Sequence, residues 1–394
     1  MNGVLHGIRV LDFGRYIAGP WCGALLADLG AEVIRCERVD GGEDRWVNPV
    51  TDDGMGPMFL QVNRGKKSLT INPVKPEGRE IVRRLVKTAD VVIANYPHAT
   101  LVEMGLDYDS LRAVKADIIL TTVNAFGSGG PISHKIGFDG LAQSMSGNLH
   151  LTGTAEQPTR SFAPYVDFGT ATLSALTTVA AIMHRTQTGE GQFIEGALLK
   201  TALMMTNAAL IEQALLGTNR VASLNRGQTG GPADVHQTKD GWVMCLVIGA
   251  YQFERWCQMV GRPELLHDDR FKDDQARGDN GEALSAIMNE WCAQRTNAEA
   301  LAAMEEHKVP GGPIYSPQEA LDDEHIKALG VLKDVEYPTA AKPAPVIDYP
   351  VYTSSGMATL RGRAPQLGEH TDEVLRGLGY SSAEIDALRA ARIV

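Results

Sequence analysis

The sequence predicts an α/β fold: a large domain with a parallel, helix-covered sheet, and a smaller α/β domain set within the chain. Three observations predict it. Apolar strand-like runs alternate with helix-like segments through the first third. A glycine-rich stretch at 225–241 is followed by residues of different texture. The length of 394 residues and a hydrophobic share of 44% suffice for two cores, because domains run to about 100–200 residues each.

The elements follow in order. "IRVLDF" (8–13) reads as a buried strand, "PWCGALLADLG" (20–30) as a helix closed by glycine, and "AEVIRCE" (31–37) as a second strand. "KKSLTIN" (66–72), "ADVVIANY" (89–96) and "ADIILTTVNAF" (116–126) read as strands, separated by helices at 75–89 and 107–116. Such alternation produces a parallel sheet with helices on its faces. Residues 168–187 predict a long helix, and 193–217 a second. After the loop, "WVMCLVI" reads as a strand, and three helical segments follow up to residue 308. The expected domains are therefore 1–225, 230–315 for the smaller one, and a return to the first over 316–394, ending in two short helices.

Composition narrows the function. A net charge of -11 argues against nucleic acid as a partner, since phosphate backbones require a basic face. The N-terminus lacks a basic segment followed by a long apolar one, so no secretory signal is expected. The apolar stretch at 171–184 reads as too short and too threonine-rich to span a bilayer, which takes about 20 apolar residues. The five cysteines are scattered and form no C-x-x-C. Reduced thiols in a cytoplasmic protein are the expectation, without a membrane partner.

The familiar cofactor motifs fail. Glycines 14, 19 and 23 do not fit G-x-G-x-x-G. "NRGKKS" lacks the first glycine and the hydroxyl residue of a phosphate-binding loop, no G-x-S-x-G exists, and the histidines show no zinc spacing. No metal, nicotinamide or flavin is expected. What remains are cations near predicted strand ends: Arg35 and Arg38, then Arg64, Lys66 and Lys67. Ligands gather at such ends in open α/β sheets, and Arg and Lys suit phosphates; a solvated basic face is the bland reading of the same residues. Two glycine-rich loops, "NAFGSGGP" (124–131) and "NRGQTGGP" (225–232), are ordinary turns or ligand-approaching flaps.

Asp167, in "YVDFGTAT", also admits two readings. It precedes a long helix, where aspartate is a favoured N-cap. Free backbone donors there keep a carboxylate ionised, and an ionised carboxylate can be a covalent nucleophile.

An ordered set of segments resembles the class III CoA-transferases, the family of formyl-CoA:oxalate, carnitine and bile-acid CoA-transferases. They are "GIRVLDF" with "AGP", "LGAEVIRCER", "NRGKKSLTIN", "ADVVIANY" with "MGLDY", "FGSGGP", "YVDFGTAT" with "HRTQTGEGQ", "TKDGW", "VPGGPI" and "GEHTDEVLRGLGY", which together span nearly the whole chain. The resemblance implies a Rossmann-like large domain built from both chain ends, an interlocked homodimer, and an acyl-CoA enzyme with Asp167 as its catalytic aspartate. It implies CoA contacts from Ala18, Arg38, Asn63, Arg64, Lys66, Lys67, Asn95 and Tyr96. Asn124 and Gly127 would lie near the site, Gly227, Gly230 and Gly231 would form a flap, and Tyr16, Phe138 and Tyr165 would supply apolar walls. One departure concerns Glu103, where many relatives carry arginine; Lys66, Lys67 or His98 are the candidates to replace that phosphate contact.

The implied chemistry moves CoA from an acyl-CoA donor to a carboxylic acid acceptor through aspartyl anhydride and thioester intermediates. Such intermediates hydrolyse unless water is excluded. An α-methylacyl-CoA racemase is the nearest rival, but it pairs its aspartate with a histidine where this chain has Phe138, which carries no proton. A non-catalytic acyl-CoA-binding protein is the other alternative, and an intact Asp167 argues against it.

Overall fold

The structure is a computed structural model of the chain, describing residues 3–394. It forms two compact units: Met1–Ser146, Ser161–Ala208 and Leu329–Val394 make the large one, Gly147–Arg160 and Ala209–Ala328 the small one.

The large unit begins β1 (Arg9–Asp12), α1 (Ala18–Asp28), β2 (Glu32–Glu37), α2 (Pro57–Val62), β3 (Lys67–Thr70), α3 (Pro76–Thr88) and β4 (Val91–Ala94). It continues through α4 (His98–Met104), α5 (Tyr108–Val114), β5 (Ile119–Asn124), α6 (Asp139–Met145), α7 (Tyr165–Thr188), β6 (Phe193–Ala197) and the first part of α8 (Leu198–Leu216), whose residues from Ala209 on belong to the small unit. The six strands form one parallel sheet in the order β3-β2-β1-β4-β5-β6. Every residue of β4 is buried, as a strand covered on both faces requires.

Successive strand residues serve opposite cores, because side chains alternate along a strand. Leu11, Val92 and Leu120 pack with Ile81, Leu85 and Leu111 from α3 and α5. Val10, Val91 and Ile119 face the other way, toward Leu26 of α1 and Ala171, Ala175 and Ile182 of α7. The apolar residues of α3 recur at helical spacing, Pro76 begins it, and Glu77 and Lys87 complement its dipole at either end.

The small unit holds an antiparallel sheet of β7 (Ala233–Gln237), β8 (Trp242–Leu246) and β9 (Gly311–Pro313). Between β8 and β9 lie α9 (Ala250–Met259), α10 (Asp274–Asp279), α11 (Gly281–Ala293) and α12 (Asn297–Glu306), and α13 (Pro317–Asp322) and α14 (Glu324–Leu329) follow β9. Its core packs Val243 and Cys245 against Phe253, Trp256, Leu284 and Met288. The chain then adds a hairpin of β10 (Leu332–Val335) and β11 (Ala344–Ile347), with α15 (Thr371–Gly377) and α16 (Ser382–Ala390), to the large unit. Leu375 of α15 and Ile385 of α16 enter the α3 core.

Four sequence expectations change. Residues 193–217 are not one helix: the first five are β6, paired in parallel with β5 from Leu120↔Phe193 to Asn124↔Ala197. The loop at 225–241 contains β7. The long helix starts at Tyr165, with Pro164 as its N-cap residue, so Asp167 lies in the first turn and is not the cap. That helix has 24 residues and is long and apolar enough to cross a membrane by length and composition alone; here its Ala171, Ala175 and Ile182 are buried in the core. All five cysteines are buried and free.

Candidate active site

The strand order reverses between β1 and β4, so the loops leaving them part and open a crevice at their C-terminal ends. A buried polar frame sets the β1 loop. Asp12 Oδ1 accepts from Gly14 N at 2.8 Å. Its Oδ2 accepts from Lys66 Nζ at 2.6 Å, and Lys66 also donates to Pro20 O at 2.7 Å and Asn63 Oδ1 at 2.9 Å. Arg35 donates to Gly14 O and Asn63 Oδ1, each at 3.2 Å, and to Asp44 at 2.9 Å. From β4, Asn95 accepts from Arg15 N and donates to Arg15 O, both at 2.8 Å. A Cβ at Gly14 would lie 2.8 Å from Pro20 Cδ, so only glycine fits this turn.

The frame takes up three side chains that the resemblance implies in CoA contact. Those of Asn63, Arg64 and Lys66 are buried, and Arg64 is paired with Asp28 and the Trp21 ring. The positive charges of Arg64 and Lys66 are needed inside because Asp28 and Asp12 are inside. Lys67 pairs with Glu32 at 2.8 Å and Glu373 at 2.6 Å. His98 and Glu103 are exposed. Arg38 and Tyr96 line a cleft of about 520 Å³ beyond the ends of β2, β3 and β4, together with Lys75 and Arg392, which sequence reasoning had not singled out.

Asp167 lies across the sheet's other core. Ala18 at the start of α1, Val123 of β5, Ala142 of α6 and Val166 of α7 form one apolar cluster, with Tyr165 packed against it. Tyr16 and Phe138 meet edge to face at 5.6 Å. Asn124 Oδ1 accepts from Gly127 N at 2.6 Å, closing the turn after β5; Gly127 takes φ +79°, and a Cβ there would meet Lys200 at 2.8 Å. Gly227, Gly230 and Gly231 belong to the small unit, before β7, where Gly227 N donates to Ala233 O at 2.6 Å.

The N-terminus of α7 is capped from outside. Asp139 Oδ2 accepts from Val166 N at 2.8 Å and Asp167 N at 3.0 Å. The Asp167 carboxylate is half-buried and has no hydrogen-bond or ion-pair partner among the described residues. Burial first, and the charge of Asp139 second, push its pKa from 3.8 to about 7. The sequence reading had helix donors keeping this group ionised; those donors are taken by Asp139, and the shift runs the other way. Nothing near Asp167 in sequence signals Asp139, although its place one residue after Phe138 could have.

Asp139→Asn keeps an acceptor for the two N–H groups and removes the neighbouring charge. The acidic limb of the rate profile is expected to fall by about one pH unit, toward the value that burial alone imposes. Measuring kcat/KM from pH 5 to 9 checks this; an unmoved limb would remove Asp139 as the cause.

Among the described residues no cluster of three or more His, Cys, Asp or Glu could hold a metal. The sequence model of CoA-transferase family III matches residues 5–371. A succinate–glutarate CoA-transferase of Agrobacterium fabrum is 33% identical over 95% of this chain and 95% of its own length. A succinyl-CoA:mesaconate CoA-transferase of Haloarcula hispanica is 32% identical over 98% of this chain and 99% of its own. The crystal structure of a CaiB/BaiF family protein from Brucella suis superposes with a TM-score of 0.84 at 32% identity, covering 96% of this chain and all of that one.

Proposed function

This chain belongs to CoA-transferase family III, and from that premise we propose that it moves CoA between carboxylic acids through a covalent intermediate on Asp167. The observation that carries the proposal is the half-buried Asp167 carboxylate, which no cation neutralises and whose raised pKa makes it a better nucleophile than an ordinary aspartate.

The ionised carboxylate attacks the thioester carbonyl of the donor, forming a mixed anhydride and expelling CoA thiolate. The thiolate attacks the aspartyl carbonyl, releasing the donor acid and leaving an aspartyl-CoA thioester. The acceptor carboxylate attacks that thioester, forming a second anhydride, and the thiolate then attacks the acceptor carbonyl. The product is the new acyl-CoA and a regenerated Asp167. Arg38 and Tyr96 line the cleft for the CoA nucleotide, Ala18 and Asn95 shape the crevice toward Asp167, and Gly227, Gly230 and Gly231 form the flap.

Succinyl-CoA as donor and a dicarboxylic acid as acceptor are the substrate class, supported by the names of the two relatives. A Rossmann-like large domain and an interlocked homodimer complete the reading. Met204, Met205, Ile211, Leu215 and Leu216, exposed along α8, support a covered apolar face.

Succinyl-CoA followed by hydroxylamine is expected to convert Asp167 to its hydroxamate, read by peptide mass spectrometry. Modification at another residue, or none while exchange proceeds, would overturn the covalent route. A racemase would instead exchange deuterium at the α-carbon without an acceptor acid, and Phe138 offers no proton for that.

A further inference from the structure

We propose that Arg392, in the tail that follows α16, recognises the 3′-phosphate monoester of the CoA nucleotide. The inference rests on the reading of this chain as an acyl-CoA enzyme.

The cleft beyond β2, β3 and β4 is lined by three cations, Arg38, Lys75 and Arg392, with Tyr96 as its aromatic wall. The acids on the same wall are Glu37 and Asp40. Glu37 is spent inside the protein, accepting from Arg45 at 2.6 Å and Ser68 at 2.8 Å. Lys75 Nζ donates to Ala391 O at 2.9 Å, and Arg38 stands 3.5 Å from Glu43. Arg392, like Arg38, is held only by an exposed ion pair. Its Nη2 alone donates to both Asp40 oxygens, at 2.6 and 2.7 Å, with each side chain about two-thirds exposed. An exposed pair of this kind is weak. A phosphate monoester, carrying close to two charges, suits the planar guanidinium, whose other N–H groups Asp40 does not engage, and competes with a single carboxylate.

The backbone makes Arg392 a prepared donor. Arg392 N donates to Arg389 O at 3.0 Å and Ile393 N to Leu388 O at 2.9 Å, the paired bonds that close a helix through a left-handed residue. Arginine takes that position at φ +53°, where glycine is the unstrained choice. Ile393 is buried, and its carbonyl accepts from Asn72 N at 2.7 Å at the end of β3. The Cα is thus fixed at the cleft rim while the guanidinium remains accessible. A charged head group is thus presented at the cleft from a backbone position that its surroundings hold in place.

The test compares succinyl-CoA with its 3′-dephospho analogue in the wild type, Arg392→Gln and Arg392→Lys. Binding of CoA and 3′-dephospho-CoA is measured by calorimetry alongside. The wild type should prefer the phosphorylated forms. Arg392→Gln should raise KM and Kd for them by about tenfold, leave kcat unchanged and leave the dephospho forms unaffected, with Arg392→Lys in between. Equal losses for both forms, or a preference that survives Arg392→Gln, overturns the assignment while the transferase reading stands. A wild type that neither binds CoA nor exchanges it defeats both.

Discussion

Asp167→Asn is expected to abolish CoA exchange, lowering kcat by about three orders of magnitude or more. An amide cannot form the anhydride, so hydroxylamine should also stop inactivating the variant in the presence of succinyl-CoA. The same substitution should stabilise the protein, with a defined sign in pH. The folded pKa of about 7 lies above the ordinary 3.8. Between these values the folded state binds more protons than the unfolded one, so wild-type stability falls as pH rises, and above about 7 the full cost is present. That cost is at most about 4 kcal/mol, and about half of it once solvent screening of a half-buried group is allowed for. Urea titrations at pH 8 and pH 4 should show Asp167→Asn the more stable at the first and level with wild type at the second. Retained exchange would displace Asp167 as the nucleophile; an equal gain at both pH values would sever its stability from its charge.

Lys66→Ala is expected to cost about 3–5 kcal/mol, because it strands a buried Asp12 carboxylate, leaves Pro20 O without its donor and leaves Asn63 Oδ1 with Arg35 alone. The double change Asp12→Leu with Lys66→Met should recover most of that stability, since apolar replacement of both partners removes the unpaired charge along with the pair. It should not recover function fully. Asp12 also accepts from Gly14 N, so the β1 loop loses its inner anchor and KM for acyl-CoA should stay raised. Chemical denaturation and steady-state kinetics on the three variants separate the effects. A fully active double variant would mean that the frame stabilises the fold without shaping the crevice.

Much of this architecture was legible because local signals agreed. The parallel-sheet strands before residue 126 announce themselves as short apolar runs between amphipathic helices, and the two short helices read in the tail are α15 and α16, the second closed by a Ser381–Glu384 capping box. Legibility failed where two elements share one apolar run. "FIEGALLK" passes from β6 to α8 with no loop between them and a single glycine, Gly196, at the junction, and pairing with β5 marks where the strand stops. Asp167 stands out in the sequence, but its environment does not, because Asp139 comes from 28 positions earlier in the chain. Arg64 and Lys66 illustrate the converse. A cation near a strand end reads as a ligand contact until the partner carboxylates, Asp28 and Asp12, are seen buried beside it.

The discontinuous large unit has a consequence for how the molecule is made. Ribosomes deliver the chain from its first residue, so β1 to β6 emerge while one face of their sheet still lacks Leu375, Ile385 and Ile393. Every residue of Ala209–Ala328 emerges before those three. The small unit can therefore complete its core around Trp256 during synthesis, whereas the large one waits, with α3 and α5 already on that face, for its last helices to complete the core. An incomplete core exposes apolar surface until synthesis ends, and such surface is what aggregates and what chaperones bind.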